Sequence, residues 1–407
     1  MIPEVRAKVK HIQLRSISEG YKKTKAGIIP DVWRCYQIHE CLSICDHERK
    51  PISEDVRKTI PGPYPYYGPT QAQGYISTYE SEGPAVLIGE DGEHFLKYKD
   101  REMTMYVDGK YTVNNHAHVL RGTELCETKW FYYAYQHKSL FDAITRQGAG
   151  RYKLTKEALI KLPLQCPPIE EQRKIISILN TQDKVIELKE KLLAEKQRQK
   201  KYLMQQLLTG KKRLPGFYGA WSFPKAKELF QSISDKDHNG DLAVLSSTQD
   251  KGIVPRDEVD IDIKYDACSL VNYKKVSKGN FVISLRSFQG GIEYSAYTGL
   301  VSPAYTVLSS RKEISDGYYK QFFKSTDYIN RLNVAVYGIR DGKQISYEDF
   351  GRLRIPYPPI KEQDAIAEVL STADREIALL RRSIEQEKQK KKALMQLLLT
   401  GIVRITI

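Results

Sequence analysis

The chain has 407 residues, 28% of them charged, and a formal net charge of +14, which points to two or three domains and a nucleic-acid or acidic-protein partner. No apolar run is long enough to span a membrane, and the opening MIPEVRAKVKHIQLRS lacks an apolar signal core. Six scattered cysteines without CxxC pairs predict free thiols in a reducing cytoplasm.

About 30 residues precede the first folded pattern. After Trp33, in PDVWRCYQIHECLSI, the pattern predicts a helix. It puts Cys41 and Cys45 at i and i+4, where buried thiols are more common than zinc ligands. YISTYESEGPAVLIGEDG and MYVDGKYTVNNHAHVL then show short apolar runs cut by Gly and Asp-Gly, which predict strands. Alternation on a strand would put His116 and His118 on one face. No third ligand stands nearby in sequence, so a structural or DNA-facing role is expected and no metal. The domain closes on KLTKEALIKLPLQCPP, predicted helical over its last 20 or so residues.

A long helix follows. Pro-Pro suits a first turn, and the Glu-Gln after it places a carboxylate at the positive end of the dipole. From PPIEEQ (Pro167–Gln172) to LMQQLLTG (203–210) no Pro or Gly interrupts, and Gly210 reads as the C-cap. Beyond Arg213 strands return in DLAVLSSTQDKGIV and GNFVISLRSFQGG. QISYEDFGRLRIPYPP closes this second domain, and a second long helix runs from PPIKEQ (Pro358–Gln363) to LMQLLLTG (394–401).

The two helices are copies. At a constant offset of 191, Leu179 matches Leu370, Asp183 matches Asp374, Ile186 matches Ile377 and Arg213 matches Arg404. In the second copy Ile366, Leu370, Ile377, Leu380 and Ile384 fall on a coiled-coil stripe. In the first, Leu179, Ile186 and Leu193 share one, interrupted by Gln182 and Lys189. The globular parts correspond more loosely, at an offset of 188: Trp33 with Trp221, and Val119-Leu120 with Val307-Leu308. Repeats fix architecture before anything else. The reading is therefore α+β. Two tandem globular domains are separated by two long antiparallel coiled-coil helices in a pseudo-two-fold ring. The expected boundaries are 1–166, 167–212, 213–357 and 358–407.

Chemistry is sparse. There is no glycine-rich cofactor loop, no Asn/Asp-Pro-Pro-aromatic motif, no Walker A loop and no nuclease-like acidic cluster. Charge is spread: 12 Lys/Arg against 6 Asp/Glu lie between Pro168 and Arg213, and 9 against 7 between Pro359 and Arg404. The basic runs KQRQKK (196–201) and EKQKKK (387–392) face solvent, a phosphate backbone or an acidic partner.

Two divergent domains alternating with two near-identical helices of the form PPIxEQ…LMQxLLTG resemble the specificity subunit of Type I restriction-modification enzymes. The likeness runs through IPDVW (29–33), YPYYGPTQAQGYI (64–76), GPAVLIGEDG (83–92), NNHAHVLR (114–121), RLPGF (213–217), KGNFVIS (278–284) and GLVSPAYTVL (299–308). The resemblance implies a non-catalytic chain. Each domain would read half of an asymmetric bipartite target in double-stranded DNA. The helices would dock two modification subunits, which methylate adenine N6 with S-adenosylmethionine, and motor-nuclease restriction subunits would complete the complex. No cofactor and no membrane is expected for this chain.

Base reading favours Arg, Lys, Asn and Gln. The candidates on Gly-rich or polar loops are Tyr67, Gln71, Gln73, Arg146, Gln147, Arg151 and Lys153 in the first domain. In the second they are Arg286, Ser287, Gln289, Tyr337, Arg340 and Lys343. Two other classes stay open at this stage: a coiled-coil adaptor without DNA specificity, and part of a self-contained DNA-modifying enzyme.

Overall fold

The computed structural model describes residues 19–147, 151–249, 251–259, 267–285, 287–335 and 345–405. The chain forms two compact units, Met1–Leu188 with Ile384–Ile407, and Lys189–Ser383. Each unit holds one globular domain and part of both long helices, which run Ile169–Leu207 and Ile360–Leu398, 39 residues each. Among the described residues no helix is long and apolar enough to cross a membrane.

In the first unit, Leu42–Ile44, Ala117–Gly122, Ala85–Gly89 and Thr104–Val107 form an antiparallel sheet in that order. Its inner strand AVLIG is buried throughout, because both faces are covered. Val86 and Ile88 pack with Trp33, Trp130 and Phe131. Ala85 and Leu87 point the other way, to Tyr111 and Val113, as the two-residue strand period requires. A second sheet orders Ala72–Ile76, Pro61–Tyr67, Lys110–Val113 and Ser81–Glu82, with Pro61–Tyr67 and Lys110–Val113 parallel.

The second unit repeats the first plan. Phe230–Ile233, Thr306–Ser310, Phe281–Ile283 and Glu293–Tyr294 form its sheet. Leu308 pairs with Ser232, as Leu120 pairs with Ile44. Both pairs keep the offset of 188, so the register of the strand pair is duplicated along with its residues.

The helical segments predicted inside the domains are shorter than expected. After Trp33, Arg34–Gln37 pairs with Pro163–Cys166 and Leu42–Ile44 joins the sheet, leaving one helical turn, Ile38–Cys41. The second unit has Ala226–Leu229 at the same place. The predicted terminal helices reduce to Lys156–Leu159 and Tyr347–Arg352. Tertiary strand pairing overrides local helical preference here. It also separates Cys41 from Cys45, which lies past the strand in a different apolar cluster.

Within each unit the two helices run antiparallel. In the first, Glu171 meets Arg404 and Gln182 meets Glu387. In the second, Lys189 meets Ser383, Lys196 meets Glu376 and Lys200 meets Asp374. The two polar interruptions of the first stripe are therefore cross-helix contacts: Gln182 Nε2 donates to Glu387 Oε2 at 2.8 Å and Lys189 Nζ to Ser383 Oγ at 2.8 Å. Polar groups at such positions select register at some cost in stability.

The predicted seam residues divide into two sets. Leu179 is buried in the first domain's core beside Leu398 and Leu399. Ile366 and Leu370 are buried in the second domain's core beside Leu207 and Leu208. Ile186, Ile377 and Ile384 are buried farther along the helices, and Leu193 and Leu380 are half-buried. The seam thus merges at its ends with the domain cores.

The helix starts explain why PPIxEQ recurs. Glu171 and Glu362 are fully buried. Arg404 clamps Glu171 through Nε and Nη2 at 2.6 and 2.7 Å, and Trp33 Nε1 donates to it at 3.2 Å. Arg213 clamps Glu362 at 2.5 and 2.6 Å, and Trp221 Nε1 donates at 2.9 Å. Gln172 accepts from Glu127 N and donates to Pro167 O; Gln363 accepts from Ser315 N and donates to Pro358 O. The predicted caps hold as well: Gly210 and Gly401 are left-handed, at φ 72 and 69°.

Candidate nucleic-acid interface

The hairpin of Pro61–Tyr67 and Ala72–Ile76 carries the first group of candidates. Gly68 N donates to Gln71 O at 2.9 Å and closes the turn. Gln71, Gln73 and Tyr75 are exposed and alternate with half-buried Ala72 and Gly74, so they line one face. Tyr67 is half-buried, edge-on to Tyr111. Beside the hairpin lies a cleft of about 300 Å³ lined by Arg57, Tyr66, Gln73, Asn114, Asn115 and His116, among others. Arg57 stacks over Tyr66 at 4.7 Å, and its Nη1 donates to Ile52 O.

A charged network holds the second group. Arg151 Nη2 reaches Asp91 Oδ2 at 2.8 Å, and the same oxygen meets His116 Nδ1 at 2.9 Å. Lys153 Nζ lies 3.2 Å from Glu90, which also pairs with Arg49 at 2.7 Å. His118 is buried, with Nδ1 2.7 Å from Asp46 and Nε2 2.9 Å from Leu154 O. Burial raises the Asp46 pKa, but His118 and the Val119 N–H outweigh it and hold the carboxyl below its usual range. Only His118 lies on the strand, Ala117–Gly122, while His116 sits in the turn before it, so the expected strand alternation does not apply to the pair; each histidine faces a carboxylate of its own. Arg146 is exposed on a short strand whose last residue is Gln147.

In the second unit, Ser287 is buried and its hydroxyl accepts from Ser284 N at 2.8 Å, so it shapes the turn. Gln289 is exposed. Two residues on, Gly291 must be glycine: φ is +80°, and a Cβ there would lie 2.0 Å from Phe323 O. Arg286, Tyr337, Arg340 and Lys343 lie outside the described residues.

Two features escaped the sequence reading. Asn114 is buried, with its side chain engaged by Gln73 and by His116 N; only its place in NNHAH hinted at this. Cys41, Cys126 and Cys166 bring their sulfurs within 4.8 Å of one another in the first unit's core. The neighbouring sulfurs, then burial, push the Cys126 thiol well above its ordinary pKa. At the matching offsets the second unit has Leu229, Ile314 and Tyr357, members of or packed against its own core. Thiols occupy space that hydrocarbon fills in the sister domain, consistent with cysteine packing as a small hydrophobe.

Comparison with known proteins places both units in one family. The model for the Type I restriction modification DNA specificity domain matches twice, over residues 30–198 and 219–389. A Haemophilus influenzae protein described as a type I restriction enzyme specificity subunit is 33% identical over 143 residues, 35% of each chain. A Methanocaldococcus jannaschii protein described as the specificity subunit of type I restriction enzyme MjaX is 25% identical over 430 residues, 95% of this chain and 97% of its own. The crystal structure of the Type-I restriction-modification S subunit from M. genitalium superposes with a TM-score of 0.59 at 13% identity, covering 92% of this chain and 97% of that one. At that identity the likeness is one of fold.

Proposed function

Since the chain belongs to the Type I restriction-modification DNA specificity family, we propose that its two domains read the two halves of an asymmetric, bipartite double-stranded DNA target. It is a specificity subunit with two target-recognition domains. The observation that carries the bipartite reading is the pair of equivalent helix starts, Trp33–Glu171–Arg404 and Trp221–Glu362–Arg213. They mount two domains of different sequence on one scaffold. Like scaffolds with unlike surfaces suit one target with two unlike halves.

In this reading the chain supplies recognition and no catalysis. Two modification subunits dock on the long helices and transfer a methyl group from S-adenosylmethionine to adenine N6; restriction subunits add cleavage. S-Adenosylmethionine belongs to the modification subunit. The exposed Gln71, Gln73, Arg146 and Gln289, with Arg151 and Lys153 from the Asp91–Glu90 network, supply contacts to bases and phosphates. Phosphate contacts position the protein, and base contacts specify.

The test is reconstitution of the chain with its modification subunit and sequencing of the methylated sites. A split motif with unlike halves is expected. Exchanging residues 30–160 for the same domain of a relative should rewrite one half only. Change in both halves overturns the two-reader scheme, and absence of sequence-specific DNA binding by the complex favours an adaptor.

A further inference from the structure

Exposed glutamines on hairpins ordinarily sample several rotamers, and fixing one costs entropy. Gln73 is exposed yet held from two sides. Beneath it, Gly68 leaves room: a Cβ there would lie 2.5 Å from Gln73 Cδ and Nε2. Beside it, Asn114 Nδ2 donates to Gln73 Oε1 at 3.3 Å. Asn114 is itself fixed, because its Oδ1 accepts from His116 N at 2.8 Å and its own N donates to Tyr67 O at 3.0 Å. The glycine floor and the buried amide together hold a surface carboxamide in one orientation. Its Nε2 has no partner among the described residues, and Oε1 keeps a second lone pair.

That donor–acceptor pair has one good match among base edges in the major groove. Adenine offers the N7 acceptor beside the N6 donor, and a glutamine carboxamide meets both. Guanine opposes it with two acceptors. Cytosine offers only a donor, and thymine an acceptor and a methyl. Tyr75, exposed two residues along on the same face, gives the neighbouring base an apolar surface.

We infer that Gln73 reads an adenine in the half-site of the first domain, with Asn114 as its positioning residue. The inference rests on the recognition reading above. A carboxamide already ordered before binding loses less entropy on contact, and an orientation set from beneath by a buried amide is the support a reading group needs.

The experiment uses the full chain with its modification subunit, and methylated sites are sequenced. Gln73→Ala should lose discrimination for adenine at one position of one half-site, by roughly 10- to 100-fold, with the other half unchanged. Gln73→Glu should shift preference at that position to cytosine, whose N4 donates to a carboxylate. Asn114→Ser should relax the same position and no other, a change in base preference that loss of stability alone would not produce. Wild-type motifs retained by both Gln73 variants would overturn the inference. A wild-type complex without a bipartite motif would instead overturn the reading beneath it, so the two failures are distinguishable.

Discussion

The two helix starts make the same three-way contact from differently connected chain. In the second unit, Arg213 and Trp221 stand eight residues apart in one linker and meet on Glu362. In the first, Trp33 comes from near the start of the chain and Arg404 from near its end, and they meet on Glu171. Even the stacking is shared: each guanidinium lies over its tryptophan, at 5.8 and 5.3 Å. Contact chemistry was retained where chain connectivity was not. A buried glutamate at a helix start needs a bidentate cation and one more donor wherever they come from.

The comparison is tested hardest in the cores. Leu179 and Leu370 are equivalent, and both are completely buried. Replacing either with Asp buries an unpaired carboxyl and should cost more than about 4 kcal/mol. Hydrogen exchange should show Leu179→Asp exposing amides of the first unit and Leu370→Asp those of the second. Equal loss of protection in both units from either variant would mean that the units do not fold as separable bodies.

A finer test removes one arginine at a time. Arg404→Ala and Arg213→Ala each leave a buried carboxylate with only its tryptophan donor, at a cost of about 3 kcal/mol. Denaturation midpoints should fall alike. A much smaller loss for Arg404→Ala would show that the clamp of the first unit holds its carboxylate less firmly than that of the second. Tryptophan breaks the symmetry: Trp33 is fully buried and Trp221 half-buried, so Trp33→Ala should destabilise more than Trp221→Ala.

The duplicated scaffold was legible in sequence because its physics is local. Pro-Pro at the start, glycine at the end and a 3.5-residue stripe between them mark a helix without tertiary help, and the duplicated Arg213 and Arg404 were visible as a match at the same offset. What those arginines bind was not visible. Glu171 and Glu362 read only as carboxylates at the positive end of a helix dipole, whereas each is buried and accepts from a tryptophan elsewhere in the chain. The convergence of Cys41, Cys126 and Cys166 was hidden for the same reason, since they come from the end of a helical turn, a loop and the end of a strand. Among the recognition candidates, residue type alone pointed to the hairpin glutamines as exposed polar groups. The burial of Asn114 was not legible, because its side chain is engaged by Gln73, 41 residues distant.

The units also differ in their response to acid. His94 is almost fully buried against Gly89 and Gly92, and burial first, then Arg101, lowers its pKa from 6.5 to about 4. Above pH 6.5 the residue is neutral whether folded or unfolded. As pH falls from 6.5 to about 4, the unfolded chain takes up a proton that the folded chain does not. Stability is therefore lost across that window, by on the order of 2 kcal/mol. His94→Phe should flatten that part of the first unit's pH profile, measured by denaturant midpoints at pH 7 and pH 5. An unchanged slope would show that His94 is protonated in the folded chain without cost.

The smallest effect lies between the helices themselves. Lys200 pairs with Asp374 at 2.6 Å in the second unit, and Lys391 with Asp183 at 2.7 Å in the first. Both residues of one pair map onto the other at the offset of 191. Each aspartate has a second partner from its own domain, Gln321 Nε2 for Asp374 and Tyr133 OH for Asp183, both at 2.7 Å. The lysines are mostly covered and the aspartates partly open to solvent, so screening limits what the pairs contribute. Lys200→Met and Lys391→Met keep the buried methylene stem and remove only the charge. Each should cost about 0.5–1 kcal/mol at low salt, falling towards zero as salt rises. Asp183 retains a tyrosine hydroxyl and Asp374 an amide, both neutral donors, so the two losses should agree. A clear excess for Lys391→Met would mean that the pair in the first unit is the better shielded, and that the duplicated scaffold is equivalent in its residues but not in its electrostatics.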